Sequence, residues 1–361
     1  MSLWLALAAV SLLLVVLGAA YLTAAVARFA PLRRIQRKGR RRLLSFGVVA
    51  LGTAGAALMS SLVNAIIIYL HAVLFFLLFG LVGRLVGKQS SVNWTGWLAL
   101  VSLAVYLGVG FYLCQHVWQT DYTLQTNKNV ESLRVALFAD SHIGTTFDGE
   151  GFAAHVETIK SQRPDMVLIA GDFVDDWSNR ADMLRSCEAL GTIDAKYGVW
   201  FAYGNHDKGF FSDRDFSAED LERALEANNV RVLEDELAYV GDFCVVGRRD
   251  ATYGKRKELA ELLDGADAAK YIIVLEHEPT DYDRESKTAA DLVVSGHTHG
   301  GQLFPINRAG EWIGVNDKTY GYERRGGVDF IVTSGISCWA MRFKTGTRSE
   351  YVMITVSPER N

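Results

Sequence analysis

The stretch Gly296-His297-Thr298-His299-Gly300-Gly301 follows an apolar run, residues 291–295, and it decides the architecture of the second part of the chain. The run predicts a short buried strand, and the glycines after it allow the backbone to turn sharply. Two histidines that stand two residues apart on such a turn can direct both imidazoles into one pocket. We therefore interpret this stretch as the end of a strand that carries a metal-binding loop.

Four other apolar runs also end in side chains that can bind a metal ion. They are residues 135–142, 166–172, 199–207 and 272–277. Open α/β sheets place their sites outside the carboxyl ends of the strands, so we expect these side chains to lie close together. The pattern predicts an α/β domain with strands at 133–139, 165–170, 199–203, 230–233, 237–240, 243–246, 271–275, 292–295, 330–333 and 351–355, and helices at 152–161, 180–190, 218–228 and 255–263.

Charge is distributed unevenly along the 361 residues. Residues 1–118 contain ten Lys or Arg and no Asp or Glu, so residues 119–361 contain all 41 acidic residues and the other 27 basic residues. Such asymmetry indicates two regions in two different solvents. The acidic second region argues against non-specific binding to nucleic acid, which requires a basic surface.

The first region consists of long runs without Asp, Glu, Lys or Arg, at residues 3–27, 43–83 and 94–118. Because a membrane span needs about 20 apolar residues, the first and last runs each predict one helix, and residues 43–83 predict two helices that turn near residues 60–64. A cleaved signal peptide would carry basic residues before its apolar run, whereas here they follow it. We expect a four-helix transmembrane anchor over residues 1–118.

The basic residues of this region lie in short loops. Eight of them stand between residues 28 and 42, and Arg84 and Lys88 stand between the third and fourth predicted helices. Short basic loops remain cytoplasmic, which predicts a multi-pass protein of the cell membrane with an extracytoplasmic second domain. The polar residues 119–131 are expected to form a linker of at most about 50 Å, so the second domain must work near the bilayer.

The four cysteines have none of the spacings that are typical of zinc or redox motifs. Cys114 lies in an apolar run, and we expect it to be a buried small hydrophobic residue. A disulfide among Cys187, Cys244 and Cys338 stays open.

Seven side chains at the five strand ends carry the donor atoms of a metal site: Asp140, His142, Asp172, Asn205, His277, His297 and His299. A mixed set of carboxylate, amide and imidazole donors suits Mn, Fe or Zn. Seven donors exceed the needs of one tetrahedral ion, whereas two divalent metal ions that share a carboxylate would use them all. Two ions about 3.5–4 Å apart stabilise both the attacking and the leaving oxygen of a displacement at phosphorus.

In order and joint occurrence, the motifs D-x-H, G-D, G-N-H-D, H and G-H-x-H resemble the calcineurin-like metallophosphoesterase family. The resemblance covers about residues 132–356 and is closest to membrane-anchored bacterial phosphoesterases with an amino-terminal helical bundle. It implies a four-layer αββα sandwich over residues 132–361. It also implies that Asp140, His142 and His299 hold one ion, that Asp172 bridges, and that Asn205, His277 and His297 complete the second site.

The same resemblance implies roles for residues that do not bind metal. His206 should stabilise the developing phosphoryl charge or protonate the leaving oxygen, and Asp175 should orient His206. Asp207 should support the ligands from behind. Protein phosphatases of the family have Arg-Gly after G-D-x-x-D, whereas this chain has Asp176-Trp177, which argues against a protein substrate.

We expect a metal-dependent hydrolase that acts on a phosphate ester, phosphodiester or pyrophosphate at the membrane surface, on a small-molecule or lipid-linked substrate, through direct attack of metal-activated hydroxide. One alternative is a non-catalytic metal-binding sensor or scaffold coupled to the helical bundle, but such a module would not need His206 and Asp175. A channel or transporter is the other alternative, and the absence of acidic residues from the predicted spans argues against it.

The predicted topology can be tested with a reporter fused after Asn361. An alkaline phosphatase, which is active only outside the cytoplasm, should be active in this fusion, and a reporter that is active only in the cytoplasm should be silent. The opposite pair of activities would overturn the topology.

Overall fold

The structure is a computed structural model that describes residues 2–87, 92–209 and 214–359, with backbone alone for residues 2–12. It divides the chain into two compact units, Met1–Val109 and Gly110–Asn361. The first unit is helical, with α1 (Ser2–Val26), α2 (Ala30–Arg33), α3 (Lys38–Met59), α4 (Leu62–Val86) and the greater part of α5 (Trp94–Gln115).

Among the described residues, three helices are long and apolar enough to cross a membrane, namely α3, α4 and α5. They agree with three of the four predicted spans, and the turn between α3 and α4 falls at Ser60 and Ser61 as expected. The remaining predicted span coincides with α1, of which residues 13–26 count only as a shorter apolar helix. The side chains of its first eleven residues, 2–12, lie outside the described residues, so three spans rather than four are supported.

The second unit contains two six-stranded sheets. In chain order the strands are β1 (Val117–Thr126), β2 (Leu133–Phe138), β3 (Met166–Ala170), β4 (Val199–Ala202), β5 (Val230–Leu233), β6 (Glu236–Val240), β7 (Phe243–Gly247), β8 (Tyr271–Leu275), β9 (Leu292–Ser295), β10 (Gly321–Arg325), β11 (Val328–Val332) and β12 (Ser349–Pro358). The first sheet has the order β1-β12-β2-β3-β4-β5 and the second the order β10-β11-β9-β8-β7-β6. The helices are α6 (Gly149–Ser161), α7 (Arg180–Gly191), α8 (Ala218–Ala227), α9 (Leu259–Leu262), α10 (Tyr282–Glu285) and α11 (Ala309–Trp312).

Three apolar layers hold this unit together. Alternate residues of β2 point to opposite faces, so Val135 and Leu137 pack between the two sheets while Ala136 and Phe138 pack under α6 and α7. A third cluster lies under α9 and α10 on the outer face of the second sheet. Because the central strands are covered on both faces, their sequences are mainly apolar, and β3 and β4 contain apolar residues alone. The arrangement of helices, sheet, sheet and helices is the expected αββα sandwich.

The predicted linker is largely a strand. Residues 117–126 form β1, which pairs in parallel with β12, so the second unit already includes most of the residues that were expected to link it to the anchor. The stretch is polar because β1 lies at the edge of its sheet, and its partner is more than two hundred residues away. A local pattern therefore gave no indication of pairing.

Three smaller expectations also differ from the structure. Strand β10 was not predicted, and the helix expected at residues 255–263 shortens to α9. Cys114 is buried as expected, but it is not a simple apolar residue, because it forms a disulfide with Cys338. Cys187 and Cys244 are free and buried.

Candidate metal centre

All seven predicted donors lie at one edge of the sandwich, because both sheets direct the carboxyl ends of their parallel strands there. Asp140 and His142 follow β2, Asp172 follows β3, Asn205 follows β4, His277 follows β8, and His297 and His299 follow β9. Five of the seven, namely Asp140, His142, Asp172, His297 and His299, have positive φ. Non-glycine residues rarely adopt this backbone conformation, and such strain is concentrated at functional sites.

The first donor cluster contains Asp140, His142 and His299, all of them buried. The Nε2 atoms of the two histidines are 3.2 Å apart, and His299 Nε2 is 3.7 Å from Asp140 Oδ1. Two nitrogens on one tetrahedral ion with bonds of about 2.1 Å would be separated by roughly 3.4 Å. The spacing therefore fits a single divalent ion between the two imidazoles.

The second cluster contains Asp172, His277 and His297, with Asn205 beside them. His297 Nδ1 lies 3.2 Å from His277 Nε2 and 3.0 Å from Asn205 Oδ1. Asp172 Oδ2 lies 3.1 Å from His277 Nε2 and 3.6 Å from His142 Nε2 of the first cluster. Asp172 is thus the carboxylate that can bridge two ions.

Two of the four imidazoles, His297 and His299, have the protonation state that suits metal binding. Burial, together with the neighbouring His277, lowers the pKa of His297 to about 4, and burial next to His142 lowers the pKa of His299 well below its ordinary value. Both rings are therefore neutral, which is the form that binds metal. His277 Nδ1 donates a hydrogen bond to Ala170 O at 2.8 Å and so directs Nε2 towards the cluster.

Positive charge is favoured at the centre of the site. Although burial by itself disfavours a charged imidazole, the adjacent Asp172 raises the pKa of His277 well above its ordinary value. Metal ions bound between the donor atoms would supply positive charge next to the same carboxylate, Asp172. The donor types, their spacing and this electrostatic preference all fit two divalent cations.

His206 lies beside the clusters and not within them. Its Nδ1 is 3.4 Å from Asp175 Oδ1 and 3.4 Å from Asp176 Oδ2. Asp175 is shared, because its other oxygen lies 3.1 Å from His142 Nδ1. Burial by itself would raise the pKa of Asp175, but the close contacts with His142 and His206 hold it below its ordinary value. The second carboxylate, Asp176, was missed as a site residue, although its position next to Asp175 in the sequence was visible.

Asp207 is buried and holds together two of the loops that carry ligands. Its carboxylate accepts hydrogen bonds from the backbone N–H groups of Asp172 (2.8 Å), Phe173 (2.8 Å), Val174 (3.1 Å) and Gly204 (2.7 Å). It therefore fixes the backbone at Asp172 and at the turn before Asn205.

Lys344 is a second residue that sequence patterns did not indicate. It is fully buried, and its Nζ donates to the backbone oxygens of Ser334 (2.6 Å) and Ser337 (3.0 Å). The segment that it holds lies behind the first cluster, because a Cβ on Gly335 would meet Asp140 at 2.7 Å. A lysine whose partners are backbone carbonyl oxygens belongs to no sequence motif. Its structural role is therefore evident only in the folded chain.

Fold and site together define a metal-dependent phosphoric ester hydrolase with two divalent ions. Residues 133–301 match the sequence model of the family described as "Calcineurin-like phosphoesterase". The chain therefore carries a calcineurin-like metallophosphoesterase domain, as the motifs predicted.

Relatives with the same domain occur in bacteria and animals. An uncharacterized metallophosphoesterase of Helicobacter pylori is 26% identical over 273 residues, which are 70% of this chain and 71% of that protein. One of Aquifex aeolicus is 29% identical, over 56% of this chain and 77% of its own length. A "Transmembrane protein with metallophosphoesterase domain" of Bos taurus is 27% identical, over 63% of this chain and 53% of its own length.

The support given by Asp207 can be tested with Asp207→Asn. An amide nitrogen cannot accept the backbone N–H bonds, so the change should cost about 1–3 kcal/mol for each buried donor left unpaired and should lower the bound metal. Thermal unfolding and elemental analysis of the purified protein measure both effects.

Asp235→Asn is the matched control, because this buried carboxylate also accepts backbone N–H bonds, from Arg249 and Lys257, outside the donor clusters. It should lower stability and leave the metal content unchanged. Equal metal loss in both variants would show that Asp207 has no special relation to the site.

Proposed function

We propose that this metallophosphoesterase hydrolyses a phosphate ester, phosphodiester or pyrophosphate of a lipid-linked substrate at the extracytoplasmic surface of the cell membrane. The observation that carries the proposal is the short connection between α5 and the catalytic sheet. Strand β1 begins at Val117, two residues after α5 ends at Gln115, and β12 joins it to β2, which leads to Asp140 and His142. A site attached so closely to a candidate membrane span has a substrate of the bilayer surface within reach.

Two features support the extracytoplasmic side. The basic residues between 28 and 42, together with Arg84 and Lys88, favour a cytoplasmic location for the short loops that contain them. The catalytic domain, which follows one further predicted span, then lies outside the cytoplasm. The Cys114–Cys338 disulfide is typical of an oxidising compartment, since the cytoplasm keeps thiols reduced.

For the reaction itself, we assign the first ion to Asp140, His142 and His299 and the second to Asn205, His277 and His297, with Asp172 between them. When bound, the two ions supply an activated water and the charge that stabilises the phosphoryl oxygens.

His206 is the residue that we expect to touch the substrate. Asp175 and Asp176 hold its Nδ1 and favour the protonated ring, so Nε2 can donate a hydrogen bond to a phosphoryl oxygen or a proton to the leaving oxygen. Asp175 also holds His142, so this one carboxylate aligns a ligand with the residue that acts on the substrate.

Variants can separate metal binding from turnover. In detergent-solubilised protein with added Mn²⁺, His206→Ala should keep both metals and lose roughly 10²–10⁴-fold in hydrolysis of p-nitrophenyl phosphate or its bis-ester. Asp172→Ala should lose metal as well, because the shared carboxylate disappears. His155→Ala, in α6, is the control and should keep both properties. Full turnover of the His206 variant would refute the role given to that side chain.

The class of substrate can be tested by lipid profiling of cells that lack the protein. If the substrate is a phosphorylated lipid, that lipid should accumulate, and wild-type protein but not the His206→Ala variant should restore its level. An unchanged lipid profile beside normal turnover of the bis-ester would contradict a lipid-linked substrate.

A further inference from the structure

An exposed apolar surface lies on the segment that leaves the metal centre. We call residues 303–315 the apolar loop. Five large side chains of this loop are between 58% and 74% exposed: Phe304, Ile306, Trp312, Ile313 and Val315. Large contiguous apolar surfaces are uncommon on soluble domains and mark sites of interaction with proteins or membranes.

The apolar loop is held in place by hydrogen bonds. Phe304 N donates to Thr345 Oγ1 at 3.1 Å, and the preceding Gln302 O accepts from Thr345 N at 2.7 Å. At the other end, Glu311 Oε1 accepts from Thr319 N at 2.7 Å. The backbone of the apolar loop is therefore fixed at both ends, while its five large side chains remain exposed.

The charges on the apolar loop offset each other. The sequence of residues 303–315 contains one acid, Glu311, and one base, Arg308. These two form an ion pair with 2.5 Å between Arg308 Nη2 and Glu311 Oε2. The loop therefore carries little net charge, and entry into a lipid interface leaves its one carboxylate paired.

Thr345 connects the apolar loop to helix α5. Lys344 N donates to Gly110 O of α5 at 3.0 Å, and a Cβ on Gly110 would meet Thr345 Cγ2 at 2.6 Å. Thr345 thus contacts α5 and also binds the backbone of Phe304. Gly110 precedes the end of α5 by five residues, or about 7.5 Å along the helix.

The end of α5 has the features of a membrane interface. Phe111 and Tyr112 are exposed large side chains, and the ring of Tyr112 stacks on His116, which packs against Trp118. Tyr and Trp are enriched where a span leaves the hydrocarbon core. The contacts of Thr345 therefore place one end of the apolar loop beside the part of α5 that we expect at this interface.

From this continuity we propose that the apolar loop inserts into the interfacial layer of the leaflet that α5 leaves, as a second attachment of the catalytic domain to the bilayer. The proposal rests on the membrane location in the proposed function and not on the reaction. Trp312 and the aliphatic side chains beside it enter the boundary between headgroups and acyl chains, at a depth of about 5–10 Å.

The insertion also orients the metal centre. The apolar loop starts four residues after His299, and Gln302 Nε2 donates to Trp339 O at 3.1 Å. The ring of Trp339 lies 5.6 Å from the ring of His206. One short segment therefore joins the apolar loop to residues beside the metal centre. Insertion of the loop holds the site close to phospholipid headgroups.

The experiment uses the full chain in nanodiscs of phosphatidylcholine and phosphatidylglycerol, with one protein per disc. An environment-sensitive dye is attached at Ile313→Cys or, in a second variant, at Ile306→Cys. The native free cysteines are buried and the other two form a disulfide. Insertion into lipid should shift the dye emission to the blue. Lipids that carry a nitroxide near the headgroup should quench more than half of this emission.

Tyr239→Cys is the matched control, because Tyr239 is an exposed large residue on β6, at the edge of the second sheet opposite β10. Its dye should show neither effect. If both loop positions behave like this control, the proposal is overturned. A blue shift without quenching by lipid would show that the chain itself covers the loop, and protection that appears only with two proteins per disc would show a second copy; each result overturns membrane insertion.

Turnover of the soluble bis-ester by the same labelled proteins keeps the two proposals apart. Quenching without turnover would contradict the proposed reaction and leave membrane insertion standing. Turnover without quenching would contradict membrane insertion and leave the proposed reaction standing.

Discussion

Four imidazoles, two carboxylates and one amide share a buried space at the edge of the two sheets, and several of their donor atoms lie within 3.0–3.7 Å of each other. Lone pairs at such distances repel each other unless positive charge lies between them, and burial removes the water that would screen them. Other groups of the domain keep the donor atoms at these short distances. Backbone bonds to Asp207, the carbonyl of Ala170 behind His277 and the buried Lys344 hold the donors from outside. Ion binding and folding of these loops are consequently linked.

Much of this centre was visible in the sequence because each ligand directly follows an apolar strand. Parallel strands end at a common edge, so adjacency in space follows from order in the chain without knowledge of the complete topology. For that reason the seven donors could be named together, and the structure brings them together. The sandwich itself could be stated only from resemblance to a family, since apolar strands of this kind are compatible with several layered folds.

The features that the sequence did not reveal depend on partners far away in the chain. The polar pattern of β1 is typical of an exposed segment, and only its pairing with β12 makes it a strand. Cys114 looks like any small residue of a span until Cys338 lies next to it. Asp176 could have been found, since two consecutive carboxylates after a Gly-Asp motif can both face one histidine. Lys344 could not, because its partners are backbone oxygens.

The place of β12 in the first sheet has a consequence for biosynthesis. Strand β12, which is synthesised after the other described strands of the two sheets, lies between β1, which continues from α5, and β2, which begins the catalytic sheet. Until Ser349 and the residues after it have been synthesised, β1 and β2 each have an open edge, and such edges attract other chains. The nascent domain would thus stay at the membrane with its central strands formed until β12 closes the first sheet. A chain cut before β12 would keep the metal ligands and lose the strand that ties them to the anchor.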